Sequence, residues 1–354
     1  MSQPETNNSD VKNSLVARRK AINLKPLNIS KESLVKTDLL QPEKSLPLVV
    51  HPLMKGVNLT AWAAANRQFI EGKLLEHGGL LFRGFAIKDA PEYEQFIKAI
   101  SGELLEYQER SSPRSRIAGN IYTSTDYPAS QSIFVHNENS YQRTFPLKIF
   151  FFCHTPAQSG GETPIADCRR VFQRIGRQIR NRFEEKGWMY VRNFGDGFGL
   201  SWQTAFQTNC KSVVEDHCRR NGILVEWKSG DRLRTRSILP AVEKHPRTGE
   251  RVWFNHATFF SVTTLESSLR EALLADFGPE ELPTNTFYGD GTPIEPEALE
   301  SLREAYMLET VTFPWQRGDV LLLDNMLVAH GRAPYEGHRK ILVGMAEPFT
   351  RTHV

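Results

Sequence analysis

Apolar residues along the chain form short blocks bounded by Gly and Pro, and most blocks have the length and composition of β-strands. Residues 46–53 (LPLVVHPL) and 78–87 (GGLLFRGFAI) are two such blocks near the start. Residues 146–156 (PLKIFFFCHTP) form the most apolar one. The last section, residues 315–349, contains an apolar strand, a Gly/Pro loop and a second apolar strand. The pattern predicts a strand-rich fold.

Helical spacing is confined to a few segments between these blocks. Residues 59–79 place apolar side chains on one face up to Gly78, and residues 90–102 repeat the pattern. Asp167 is placed to cap a helix with apolar residues four apart, and that helix ends at Gly187. Many short strands with few flanking helices favour an α+β, mainly β fold of the jelly-roll type over a doubly wound sheet.

The composition excludes some classes of partner but does not indicate a reaction. Of the 354 residues, 40% are hydrophobic and 24% charged, and the net charge of +3 is spread without a basic stripe, so no nucleic-acid partner is expected. No apolar run approaches the roughly 20 residues that span a bilayer, so no membrane partner is expected either. The first residues have no secretory h-region, and the four cysteines form no CxxC pair. A cytoplasmic protein is therefore predicted.

The chain divides into three parts of different character. Residues 1–30 are polar and are predicted to be a disordered tail. Residues 31–354 are predicted to be a single domain. Within it, residues 190–310 mix short strands with polar helices and Pro/Gly turns.

Candidate chemistry begins at residues 134–141 (FVHNENSY). On a strand, His136 and Glu138 point to the same side, as two ligands of one metal would. A 2-His-1-carboxylate triad binds Fe(II) and needs one more histidine. His330, at the end of an apolar strand, is the preferred third ligand. Three other histidines remain rivals on composition alone: His154, His256 and His338.

Arg339 begins the strand that follows His330. It shares a face with Ile341, Val343 and Met345, and an antiparallel return would bring it close to His330. A guanidinium on an apolar face is costly unless it meets an anion. A carboxylate of a bound acid would satisfy it through two hydrogen bonds, and a solvated arginine at the start of a strand is the alternative.

These residues, in this order, resemble a known family. The order of His136 and Glu138, then residues 160–169 (GGETPIADCR), then residues 321–343 is similar to that of the Fe(II)/2-oxoglutarate dioxygenases of the taurine dioxygenase/clavaminate synthase superfamily. The syringomycin-type amino-acid β-hydroxylase branch is the nearest likeness. The resemblance covers about residues 75–350 and implies a double-stranded β-helix with residues 190–310 as an insert over the active site.

The resemblance also implies roles for individual residues. Fe(II) would be bound by His136, Glu138 and His330. The co-substrate 2-oxoglutarate would be held by Arg339 and Thr163, and with O₂ it would be converted to succinate and CO₂. The implied reaction is hydroxylation of an unactivated C–H bond.

Two departures from the family narrow the reaction. Many members have Asp at the position of Glu138, and the halogenating relatives have a small residue there, so Glu138 favours hydroxylation over halogenation. Taurine-type enzymes carry a second arginine four residues after the first, where this chain has Val343, which argues against a sulfonate substrate.

The expected substrate is an amino acid or a derivative of one, free or tethered to a carrier protein, in specialised-metabolite (antibiotic) biosynthesis. Asn120, Arg143 and Arg234 are candidates for binding its carboxylate or amine. Epoxidation, desaturation or cyclisation by the same cofactors remain alternatives, as do a zinc hydrolase and a non-catalytic binding module. Oligomerisation is left open.

Overall fold

The structure, a computed structural model, describes residues 34–106, 114–124, 127–195 and 199–351. The predicted N-terminal tail, residues 1–30, lies outside the described residues. The strands in chain order are β1 (Val35–Gln41), β2 (Lys44–Pro52), β3 (Gly79–Phe82), β4 (Arg116–Ala118), β5 (Ile121–Thr123), β6 (Ile133–His136), β7 (Thr144–Thr155), β8 (Ser159–Gly160), β9 (Ile165–Asp167), β10 (Trp188–Phe194), β11 (Ile223–Lys228), β12 (Arg232–Leu239), β13 (Val242–Lys244), β14 (Arg251–Trp253), β15 (Thr284–Tyr288), β16 (Thr310–Val311), β17 (Val320–Asp324), β18 (Val328–Arg332), β19 (Tyr335–Glu336) and β20 (Lys340–Thr350). The helices are α1 (Leu59–Ala65), α2 (Arg67–His77), α3 (Ala90–Ser101), α4 (Cys168–Arg174), α5 (Arg177–Lys186), α6 (Trp202–Phe206), α7 (Lys211–Arg220), α8 (Ser267–Asp276) and α9 (Pro296–Glu309).

The most apolar run of the chain, β7, lies inside an eight-stranded major sheet with the order β1-β2-β3-β17-β7-β20-β5-β4. Its side chains alternate between two faces. Phe151 joins the apolar core shared with the second sheet, while Phe150 and Phe152 join the core beneath α1 to α3. Burial on both faces explains why β7 has a nearly continuous apolar sequence rather than an alternating one.

The minor sheet has the order β16-β9-β18-β6. Ile165 of β9 and Val328 of β18 belong to the same apolar core as Phe151 of the major sheet. These two sheets form the jelly roll, so the predicted fold class is confirmed.

A third sheet, β11-β12-β10-β15, is built from residues 188–288. Its strands pair antiparallel and carry the polar helices α6 to α8 between them. That residues 190–310 form an insert within a single domain stays a prediction. No helix in the described ranges is long and apolar enough to cross a membrane.

Two predicted helices are each divided in the structure. The helix expected over residues 59–79 breaks at Asn66, whose side chain donates to the carbonyl of Trp62 at 2.8 Å. Asp167 does cap α4, accepting from the backbone N–H groups of Arg169 and Arg170. That helix then ends at Ile175, which is extended, and α5 begins after Gly176.

Candidate active site

Two histidines lie opposite each other on adjacent strands of the minor sheet. Strands β6 and β18 run antiparallel, and their register pairs His136 with His330. The two imidazole centroids are 4.6 Å apart. The His330 ring also lies 4.9 Å from the ring of Phe151 in the major sheet, so it points into the space between the sheets. The pairing of β6 with β18, which shifts register just after His330, therefore places the two rings side by side.

Glu138 lies close to the two histidines, but it does not lie on strand β6 as predicted. Strand β6 ends at His136, so Glu138 lies in the turn that follows rather than on the strand. The buried amide of Asn325 holds this turn: it accepts from the Glu138 N–H at 2.7 Å and donates to the Glu138 carbonyl at 2.8 Å. Asn137 is turned away, as expected, and donates to the Asn325 carbonyl at 2.6 Å.

The three side chains form a cluster with the donor set of a metal site. Ligand atoms of His136, Glu138 and His330 all lie within 4.8 Å of one another, the only such group of three found in the described part of the chain. The Nδ1 atom of His136 pairs with the carbonyl of Phe134 at 2.8 Å, which leaves Nε2 available to a metal. Two imidazoles and one carboxylate suit Fe(II) with open positions.

The electrostatics keep His136 and Glu138 in the protonation states that ligation needs. Burial, aided by the charge of His330, lowers the pKa of His136 to about 3, so its imidazole is neutral. Burial is the largest single influence on Glu138 and acts to raise its pKa, but the Arg114 guanidinium and the two neighbouring histidines together outweigh it, so the pKa lies below its usual range. The Nη2 atom of Arg114 lies 2.9 Å from one carboxylate oxygen and 3.1 Å from the other.

The rival histidines do not join this cluster. His256 is buried nearby, with its ring centroid 5.5 Å from that of His136 and its Nδ1 hydrogen-bonded to the Ser140 hydroxyl, but it does not belong to the group whose ligand atoms lie within 4.8 Å of one another. His154 contacts the Thr155 hydroxyl, and His338 is exposed. Position in the fold therefore favours His330 over each of them.

Arg339 and Thr163 line a small pocket beside the cluster, together with His136 and His330. The Nε of Arg339 donates to the carbonyl of Gly161 at 2.8 Å. A Cβ on Gly161 would lie 2.9 Å from the Arg339 side chain, and φ is +73°, so glycine is needed there. The Thr163 hydroxyl accepts from the Trp315 indole at 3.1 Å.

Arg339 has the surroundings of an anion-binding group. No carboxylate among the described residues forms an ion pair with it. Burial, then the neighbouring charge of Arg332, lowers its pKa to about 10. Arg332 lines the same pocket, but its guanidinium donates hydrogen bonds to the backbone carbonyls of Tyr127, Pro128 and Gln131. Sequence reasoning missed Arg332, although it lies two residues after His330.

The predicted hairpin between His330 and Arg339 is wrong. Strand β18, which carries His330, pairs with β6 and β9 in the minor sheet. Strand β20, which follows Arg339, pairs with β7 and β5 in the major sheet. The two residues approach each other because the sheets face one another across the pocket.

A larger cavity of about 460 Å³ opens on the other side of His136 and Glu138. The third sheet supplies one part of its wall, and several aromatic side chains lie in the rest. The lining includes Arg114, Tyr141, Tyr190, Arg192, Asn193, Phe194, His256, Phe259 and Phe260. Such a mainly apolar cleft with a few polar groups is typical of small-molecule sites.

None of the three predicted substrate-binding residues lines this cavity. Asn120 donates to the carbonyl of Leu104, and Arg143 donates to the carbonyl of Arg220. Arg234 donates to the Asn193 side chain from behind and is near Glu226 and Glu280. All three have structural partners of their own.

Comparison with known proteins places these observations in context. Residues 43–346 match the family described as "Taurine catabolism dioxygenase TauD, TfdA family". The chain is 45% identical over 279 residues to the dapdiamide synthesis protein DdaC of Enterobacter agglomerans, covering 79% of this chain and 85% of that one. It is 29% identical over 316 residues to a clavaminate synthase-like protein of Arabidopsis thaliana, covering 86% and 92%.

Solved structures share the fold at low sequence identity. The crystal structure of PvcB from Pseudomonas aeruginosa aligns with a TM-score of 0.54 and 17% identity, over 88% of this chain and 91% of that one. A taurine dioxygenase from Burkholderia xenovorans aligns with a TM-score of 0.50 and 16% identity, over 90% and 91%. The likeness extends over most of each chain.

Proposed function

The chain belongs to the TauD, TfdA family of dioxygenases, and from this premise we propose that His136, Glu138 and His330 bind Fe(II) while Arg339 and Thr163 bind 2-oxoglutarate. Membership confirms the family resemblance, the enzyme class and the predicted use of Fe(II), 2-oxoglutarate and O₂. It also sets aside the zinc hydrolase and the non-catalytic binding module. The residue roles are the part that we propose.

The observation that carries these roles is the cluster of His136, Glu138 and His330 within 4.8 Å, beside the half-buried Arg339. Arg339 lacks an acidic partner among the described residues, and a carboxylate can accept two hydrogen bonds from its guanidinium. The Thr163 hydroxyl, already accepting from Trp315, can donate its own proton to the same carboxylate. One cofactor thus spans the small pocket from Arg339 to the histidines.

The proposed reaction is hydroxylation of an unactivated C–H bond in an amino acid or amino-acid-derived small molecule, within specialised-metabolite biosynthesis. The 45% identity to a dapdiamide synthesis protein supports this substrate class. Bound Fe(II) would allow O₂ to act as the oxidant, with two of its four electrons coming from the oxidative decarboxylation of 2-oxoglutarate to succinate and CO₂ and two from the substrate C–H bond. A cytoplasmic location and a substrate that is free or presented on a carrier protein are further parts of the proposal, and the oligomeric state is left open.

The protein's own contribution is positioning. The cross-strand pair fixes the two imidazoles, and Asn325 fixes the backbone that carries Glu138. The aromatic residues of the larger cavity give the substrate side a partly apolar lining. The ionised Glu138 and neutral His136 are ready to ligate without losing protons on metal binding.

A spectroscopic experiment tests the ligand assignment. Anaerobic addition of Fe(II) and 2-oxoglutarate to the protein should give a weak visible charge-transfer band. His136→Ala and His330→Ala should abolish both this band and succinate release, whereas His338→Ala, at an exposed histidine, should keep both. A band that survives in either ligand variant would overturn the assignment. A succinate-release screen with free and carrier-bound amino acids then identifies the substrate.

A further inference from the structure

His256 is a buried histidine on the wall of the larger cavity, and the proposed metal site does not use it. Only 2% of its surface is exposed. Its ring stacks on that of Phe260, with the centroids 4.7 Å apart. The rings of Tyr141 and Phe259 each lie 5.2 Å from it and nearly perpendicular to it. These contacts fix the plane of the imidazole, so each of its two nitrogens points in a defined direction.

The hydroxyl of Ser140 decides which ring nitrogen carries the proton. Ser140 is fully buried, and within the described ranges its Oγ has one hydrogen-bond partner, the Nδ1 atom of His256. A buried hydroxyl needs an acceptor for its proton, and Nδ1 can accept only when it is itself unprotonated. Burial holds the pKa of His256 well below its usual value, so the ring is neutral. The one N–H group of the ring is therefore at Nε2.

The Nε2 atom lies on the other side of the ring from Ser140. It has no hydrogen-bond partner among the described residues, and protein atoms do not enclose it completely. Because His256 lines the larger cavity, Nε2–H is presented to that cavity. A donor that is held in place and has no protein acceptor is available to a ligand.

This donor lies beside the metal cluster. The centroid of the His256 ring is 5.5 Å from that of His136, and the ring of Phe259 contacts both, at 5.2 Å and 4.5 Å. A substrate group bound by Nε2–H would therefore lie close to the part of the substrate that reacts. The donor is uncharged and its ring is packed against aromatic rings, which favours an uncharged acceptor, because a charged one would lose its hydration there.

We infer that the Nε2–H group of His256 donates a hydrogen bond to an uncharged carbonyl oxygen of the substrate, such as that of an amide, ester or thioester. Ser140 is the positioning residue that keeps the proton on Nε2. The inference rests on the proposed function and deepens it, since it names a group that the substrate carries near the reacting carbon. His256 thereby becomes a specificity-determining residue.

The proton on His256 can be located by NMR without turnover. The full-length protein is labelled with isotopic nitrogen in its histidines, loaded with diamagnetic Zn(II) in place of Fe(II), and given 2-oxoglutarate. Long-range proton–nitrogen correlations then identify the protonated nitrogen, and the His256 signals are assigned by their loss in His256→Gln. We expect the proton on Nε2, and a larger fraction with the proton on Nδ1 in Ser140→Ala. A proton on Nδ1 in the unaltered protein would overturn the inference.

Carbonyl binding is tested by calorimetry on the same Zn(II)-loaded protein. The probes are benzamide, thiobenzamide, whose sulfur is a weaker acceptor, and benzoate. Benzamide should bind about fivefold more tightly than thiobenzamide, as expected for one hydrogen bond between neutral groups. His256→Phe keeps a ring but lacks the donor and should remove this preference, whereas His256→Gln, which retains an N–H donor, should keep part of it. His154→Phe, at a half-buried histidine that does not line the cavity, is the matched control and should keep all of it.

The inference is overturned if benzamide binds no more tightly than thiobenzamide, or if His256→Phe keeps the preference. It is also overturned if benzoate binds more tightly than benzamide and His256→Phe removes that difference, because the acceptor would then be charged. An absent charge-transfer band with Fe(II) and 2-oxoglutarate would instead contradict the proposed function. The tautomer of His256 and the benzamide preference would still be read from the Zn(II)-loaded protein, so the two failures are distinguishable.

Discussion

The two ends of the active-site cleft are built in different ways. At the inner end, the jelly roll fixes its polar residues by strand pairing and buried hydrogen bonds: His136 lies opposite His330 on the adjacent strand, and Asn325 holds both backbone groups of Glu138. At the outer end, rings pack on rings, as Phe260 does on Tyr190. The inner end has directional contacts, whereas the outer end has mainly packing contacts.

This difference teaches where each kind of selectivity resides. Directional bonds fix positions to fractions of an ångström, which suits a metal and a co-substrate that never change. Packing surfaces tolerate replacement by side chains of similar volume, which suits a substrate that differs between relatives. The cofactor end and the substrate end should therefore be separable by mutation.

The largest effect on the cofactor end is expected from Arg339→Ala. Removing the guanidinium leaves the distal carboxylate of 2-oxoglutarate without its charged donor, so the 2-oxoglutarate concentration for half-maximal succinate release should rise on the order of a hundredfold. His338→Ala, one residue earlier and exposed, is the control. An unchanged 2-oxoglutarate requirement would remove Arg339 from the cofactor end.

Asn325→Ala should loosen the inner end itself. Its buried amide makes three hydrogen bonds, two to the Glu138 backbone and one to the carbonyl of Pro146 at 2.8 Å. Losing them leaves buried backbone groups unsatisfied, so the free energy of unfolding in urea should fall by about 2–4 kcal/mol. Fe(II) affinity should fall with it, because the turn that carries Glu138 is no longer held.

Asn120→Ala is the matched control for that change. Asn120 is half-buried and makes a single bond to the carbonyl of Leu104 at 2.9 Å, so its removal should cost less than about 1.5 kcal/mol. Equal destabilisation in both variants, or an Asn325→Ala protein with normal Fe(II) affinity, would contradict the role of Asn325 as the support of Glu138.

The inner end could largely be predicted from sequence, since its signals are local. Apolar runs identified β7 and β17, Asp167 identified the start of α4, and the order of His136, Glu138 and His330 matched a family pattern. Which strands pair with each other could not be predicted from such local signals. The loop after β18 carries the chain to the opposite sheet, and closeness in sequence suggested a hairpin instead.

The residues that line the outer end could hardly be recognised from the sequence. Arg114 and Arg192 belong to no motif, and an arginine is typical of any solvated surface, so nothing local distinguished them from Arg143 or Arg234. Strand pairing makes the difference: Arg192 lines the cavity, whereas Arg234 on β12 is the cross-strand neighbour of Asn193, donates to its side chain and does not line the cavity. That information depends on how β10, β12 and β15 pair, which is a property of the folded chain.

The smallest effect, and the sharpest test of separability, is expected from Phe260→Leu. Leucine keeps most of the apolar volume but loses the ring stacking on Tyr190 and His256, worth about 0.5–1.5 kcal/mol, so the KM for the substrate should rise severalfold. The 2-oxoglutarate requirement should stay unchanged, because Phe260 does not line the small pocket. Leu269→Ala, on the exposed side of α8, is the control. If Phe260→Leu raised the 2-oxoglutarate requirement as much as the substrate KM, the two ends would be one coupled unit.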